Sequence, residues 1–214
     1  MDKIDKPDIL VLNSTYIITL LRKYDNFNHS LKKGTNLTIS KGIENTPELS
    51  DVACIKITYT CDGLSNVQYF HPFEYAKAAT AFRCRLLSDD PSIFSISGST
   101  LEDIKKRNQQ ISEEISGRDK LVHEIDQDTV FKSLCVNGSF TYKHGDSCYA
   151  SITIHDSHQE SEKVTRKLLI TFVNQISEEA YTRFVPIEDF EFGVSNVFLK
   201  LLKNHEIVFH INNN

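Results

Sequence analysis

The segment Ser99 to Ile125 reads STLEDIKKRNQQISEEISGRDKLVHEI, and its interpretation decides how the two halves of the chain are joined. Its apolar residues recur with a seven-residue period: Leu101, Ile104, Ile111, Ile115, Val122 and Ile125. Read as a heptad, Leu101, Asn108, Ile115 and Val122 take one seam position, and Ile104, Ile111, Arg118 and Ile125 take the other. Ser99 with Glu102 has the spacing of a capping box, which satisfies free backbone N–H groups at a helix start. The pattern therefore predicts a long amphipathic helix over 99–126 whose stripe must dock onto something.

The same residues say what kind of docking to expect. Asn108 on the seam is a device that fixes register, and Glu102–Lys106, Asp103–Arg107 and Glu114–Arg118 have the favourable acid-first spacing. Against a symmetric parallel zipper stand Arg118 on the seam, Gly117 in the helix, and Glu114 facing the partner's Asp119. An antiparallel pair, or a helix laid on the chain's own sheet, remains open. If the stripe is an interface, its partner-binding residues are Ile104, Asn108, Ile111, Ile115, Arg118 and Val122.

Upstream, Ile9 to Leu12 is a short apolar run predicting a buried strand. Asn13 and Ser14 can cap a helix over Thr15 to Tyr24. Residues 25 to 50, rich in Asn, Ser, Lys and Gly, read as loop with one short strand near Leu37 to Ser40. Val52 to Cys61 alternates: Ala53, Ile55, Ile57 and Tyr59 on one face, Cys54, Lys56, Thr58 and Thr60 on the other. Asp62-Gly63 turns the chain into a second strand, Val67 to His71. Pro72 opens a helix, Phe73 to Leu87, with Tyr75, Ala79, Phe82 and Leu86 on one stripe. Ser92 to Ile96 is a candidate short strand.

Downstream the pattern reads as strongly β. Val130 to Val136 and Ser139 to Lys143 flank Asn137-Gly138, a hairpin signal. Ser147 to Asp156 and Val164 to Asn174 continue as an antiparallel meander, the latter apolar on both faces and so central or covered. Ser177 can cap a helix through Phe184, and Ser195 another with Phe198, Leu201 and Leu202 inward. Ile207 to Ile211 reads as an edge strand. Both halves hold a hairpin followed by a helix, a faint sign of two similar lobes. The expected fold is α+β: a smaller strand–hairpin–helix N-terminal lobe over 1–98, the helix over 99–126, and a C-terminal antiparallel β-meander lobe with two helices over 127–214, forming one cooperative unit.

The 214 residues are 40% hydrophobic and 25% charged, which supports a packed core and excludes a disordered chain. A net charge of −5 argues against a nucleic-acid binder, which needs a basic field. No apolar run approaches the ~18 residues of a membrane span, and Met1 to Pro7 has no secretory pattern. The five cysteines are scattered and odd in number, which argues against a disulfide framework and for an intracellular, reducing setting, cytoplasm or nucleus. The glycosylation-type triplets at Asn13, Asn28, Asn36 and Asn137 are then chance matches.

No chemistry stands out. His144, Cys148, His155 and His158 are zinc-type residues close in sequence, but strand alternation points Cys148 and His155 to opposite faces. Cys135 and His144 would lie at opposite ends of a hairpin, too far apart for a nucleophile pair. Phosphate-loop glycine spacing is absent. Glu113-Glu114, Asp89-Asp90 and Glu188-Asp189 read as solvated acids. The acidic–aromatic run Ile187 to Phe192 could dock a basic partner, though a partly packed loop explains it. The expectation is a non-enzymatic intracellular interaction or assembly protein, without metal or cofactor, binding a protein partner or itself through the helix or a sheet edge. The alternatives are an enzyme using His144, His155 and His158, and a nucleic-acid or membrane-surface binder using Lys105, Lys106 and Arg107.

Overall fold

The computed structural model describes residues 12–32, 34–88, 90–92, 95–116, 125–144, 148–158, 164–176 and 178–212. The fold is α+β, with two antiparallel four-stranded sheets and two compact units, Met1–Asn108 and Gln109–Asn214. Each unit has the same order: a helix, a four-stranded meander, a helix.

The first unit runs α1 (Ser14–Tyr24), β1 (Asn26–Lys32), β2 (Thr35–Glu44), β3 (Val52–Cys61), β4 (Leu64–Phe70) and α2 (Tyr75–Leu86). Asn13 caps α1 as expected, its side chain accepting from the Tyr16 N–H at 2.8 Å. The expected stripe of α2, Tyr75, Ala79, Phe82 and Leu86, is buried, together with Ile17, Leu20 and Leu21 of α1. These helices pack on the sheet face carrying Leu37, Ile39, Ile55, Ile57 and Phe70, and the Phe27 ring meets Phe82 edge-on at 5.7 Å. Strand β1 lies in the stretch read from sequence as loop, so the N-terminal lobe is a full meander rather than a smaller hairpin lobe. The expected strand at Ile9 to Leu12 lies outside the described residues except Leu12, which is buried and not in a strand.

The mid-chain helix, α3, is described over Leu101–Ser116. Residues 117–124 lie outside the described residues, and Ile125 and Asp126 are not helical. Its cap sits one residue later than expected: Thr100 Oγ1 accepts from the Asp103 N–H at 3.1 Å and donates to the Asp103 carboxylate at 2.7 Å. Ser99 is extended instead, its N–H donating to the Tyr69 carbonyl at 2.8 Å. The division between the units falls within α3.

The second unit runs α4 (Gln127–Asn137), β5 (Ser139–His144), β6 (Cys148–His158), β7 (Val164–Asn174), β8 (Glu179–Pro186), a 3-10 turn (Ile187–Asp189) and α5 (Phe190–Asn212). Four features differ from the sequence reading. Val130 to Val136 is helix, not strand: Val130, Ser133 and Leu134 are buried at helical spacing, and Asp126 caps α4 by accepting from the Thr129 N–H at 2.6 Å. Gly138, read as a hairpin glycine, is the left-handed residue that ends α4 at φ 70°, donating to the Leu134 carbonyl. The helix expected from Ser177 to Phe184 is the strand β8, and Ile207 to Ile211 belongs to α5 rather than to an edge strand. Three strands of the meander, β5, β6 and β7, fall where they were read, and the fourth is β8 rather than residues 130–136. The inner face of the meander carries Phe140, Ala150, Ile152, Leu168, Ile170, Phe172 and Val185, all buried, with α4 and α5 packed over it.

Candidate functional site

The stripe of α3 faces inward wherever it is described. Ile104 is buried in a cluster with Val52 and Cys54, flanked by Leu49, Tyr69 and Leu101. This cluster covers one end of the outer face of the first sheet, opposite α1 and α2. Asn108 is also buried, and its Nδ2 donates to the Ala53 carbonyl at 2.7 Å, so it fixes this helix on its own strand β3. Ile111 is 2% exposed. Ile115 lies on the helix, and Arg118 and Val122 lie outside the described residues. Lys105, Lys106 and Arg107 share α3 with Glu102, Asp103, Glu113 and Glu114, so the helix carries no basic field.

Of the histidine and cysteine candidates, Cys148 and His155 lie on opposite faces of β6. Cys148 is buried on the inner face of β6, and burial raises its thiol pKa. Register sets His144 opposite Cys148. His155 is exposed on the outer face, its ring 5.8 Å from that of Phe184. Cys135 is buried on α4, and burial pushes the Cys54 thiol up to about 12. No disulfide joins the five cysteines, and burial disfavours the thiolate form at Cys54 and Cys148. Among the described residues no group of three or more His, Cys, Asp or Glu could hold a metal. The acidic–aromatic run is part core, with Ile187 and Phe190 buried and Phe192 exposed. Beside it lies an open groove of about 290 Å³ lined by Gln127, Asp128, Phe131, Glu191 and Val194.

The feature that stands out is the outer face of the second sheet. Register aligns Lys143, Tyr149, Val173 and Ala180 in one cross-strand row. The next row is Thr141, Ser151, Thr171 and Thr182, and the third is Ser139, Thr153, Leu169 and Phe184. No described helix of its own unit covers this face, and it presents Tyr149 at 38% and Phe184 at 52% exposure beside half-buried Leu169 and Val173. The equivalent rows of the first sheet are polar except for Val67, which is 37% exposed: Asn28, Thr38, Thr58 and Val67, then Ser30, Asn36, Thr60 and Ser65.

The sheet edges differ as well. Edge β4 is strapped by the segment after α2. The Asn66 side chain donates to the Ser92 carbonyl at 3.4 Å, Gln68 donates to the Ile96 carbonyl, and buried Arg85 donates to the Ser92 carbonyl at 3.0 Å. Gly98 makes the close approach, since a Cβ there would sit 2.4 Å from the Tyr69 carbonyl oxygen. Edge β1 has a register shift between Ser30 and Lys32, and β5 is only six residues long. Edge β8 is eight residues of EAYTRFVP, rich in β-forming side chains, with an unbroken register to β7 and no other described strand beside it. Tyr181 anchors its inner face, donating to Asn196 Oδ1 at 3.1 Å and stacking on Phe172 at 5.8 Å. Glu179 is ion-paired to Lys200. The sequence signal for this edge was the alternation of Tyr181, Arg183 and Val185 against Ala180, Thr182 and Phe184.

No protein-family model, no curated protein and no solved structure matches the chain. No described helix is long and apolar enough to cross a membrane.

Proposed function

We propose that this chain is a non-enzymatic interaction or assembly protein of a reducing compartment, cytoplasm or nucleus. It binds a protein partner through the β8 edge and the adjoining outer face of the second sheet, not through the α3 stripe. The observation that carries this reading is Phe184, a large aromatic left 52% exposed on an eight-residue edge strand with no other described strand beside it. A flat β edge with apolar side chains invites another strand, and proteins usually blunt such edges unless they are used. Burying one such ring contributes on the order of 1.5–3 kcal/mol to association.

The test is a photo-reactive side chain placed at Tyr149, with Thr58 of the polar sheet as control. The expected result is discrete protein adducts from position 149 that disappear in Phe184→Glu, and none from position 58. Adducts that are absent, or equal from both positions, contradict the reading.

A further inference from the structure

We infer that the occupant of the β8 edge is β8 of a second copy, paired antiparallel about a two-fold axis through Thr182. This rests on the reading above and names its partner. Three observations select it.

The first is the state of the edges. Edge β4 is strapped and β1 carries a register shift, whereas β8 keeps its full length unbulged. The second is parity. Side chains of opposed residues share a face, so a strand pairing with itself must be centred on a residue, not between two. Centring on Thr182 pairs Glu179 to Val185 of each copy and leaves Pro186, which has no N–H to give, just outside the ladder. Centring elsewhere shortens the overlap or draws Pro186 in.

The third is self-complementarity. In this register Phe184 lies over the second copy's Ala180 and Thr182 faces Thr182 on the outer face. On the inner face Arg183 lies opposite Tyr181 and diagonal to Glu179. Arg183 is exposed, and no ion pair to it is found among the described residues. A strand with an acid and a base four residues apart presents each to the other when it meets its own copy reversed. The two sheets then join into one of eight strands, with Phe184 and Tyr149 on a shared outer face.

The experiment uses the whole chain. Molar mass by light scattering is expected at twice 24.5 kDa at high micromolar concentration. Arg183→Glu, which sets an acid against the diagonal Glu179, is expected to weaken the dimer about tenfold without loss of thermal stability. Thr182→Cys is expected to give a disulfide-linked dimer on mild oxidation, since opposed Cα atoms lie about 4.5–5.5 Å apart. Ala180→Cys and the unsubstituted chain are expected not to link, the former because its two copies lie about 14 Å apart. A dimer that Thr182→Cys fails to link overturns the register and the interface. A monomer at every concentration that still gives Phe184-dependent adducts from Tyr149 overturns self-pairing alone. A monomer without such adducts overturns both readings.

Discussion

Asn108 shows how a polar residue on an apolar stripe can serve the fold rather than an assembly. Its Nδ2 bonds the Ala53 carbonyl, and its Oδ1 is buried without a partner. Asn108→Ala removes the bond to the Ala53 carbonyl, an expected loss of about 1 kcal/mol in urea unfolding. Gly138 is a second single-residue constraint. At φ 70°, with nothing near its absent Cβ, its substitution costs conformational energy alone. Gly138→Ala is expected to lower stability by about 1 kcal/mol. His71 supplies a pH dependence. Its Nδ1 is buried without a partner and its ring stacks on Phe73, and burial lowers its pKa below the usual 6.5. The unfolded chain therefore takes up a proton at a pH where the folded chain does not. His71's contribution is present above about pH 6.5 and is lost as pH falls through the lower folded value. Thermal melts from pH 7.5 to 5 are expected to show that slope, and His71→Gln is expected to flatten it.

At the scale of elements, α3 is held by what it buries. Ile104 is fully buried against Val52 and Cys54, so Ile104→Ala is expected to cost about 2–4 kcal/mol in unfolding free energy. An exposed docking stripe would leave stability unchanged. Much of this was legible in the sequence, and the misreadings have physical causes. Strand β3 and helix α2 were readable because period and burial agree in both. The stripe over 101–125 was readable as amphipathic, but a pattern of apolar residues is the same whether a helix covers its own sheet or another chain. Residues 130–136 misled because Val, Phe and Cys suit strands, while the caps Asp126 and Gly138 decide for helix. Asn137-Gly138 carries the same need for positive φ at a hairpin and at a helix end. Strand β8 was hidden by Ser177 and two glutamates that resemble a helix start, and with it went the edge that forms the candidate site. Alternation alone placed Cys148 and His155 on opposite faces of β6, as the register shows.

At the scale of the molecule, the chain repeats one plan: helix, meander, helix. The two copies of the plan differ in what finishes them. In the first, α3 covers Val52 and Cys54 on the outer face and a strap closes β4. In the second, Tyr149 and Phe184 stay exposed and β8 stays open. That asymmetry is the reason for placing assembly in the second unit. The central claim is that β8 is an assembly edge, and its most direct test is hydrogen–deuterium exchange of the Glu179 to Val185 amides across a range of protein concentration. Protection of these amides that rises with concentration, and needs about tenfold more protein in Arg183→Glu, is the predicted result, with the Val52 to Cys61 amides unchanged. Protection of β8 that is independent of concentration would contradict the claim.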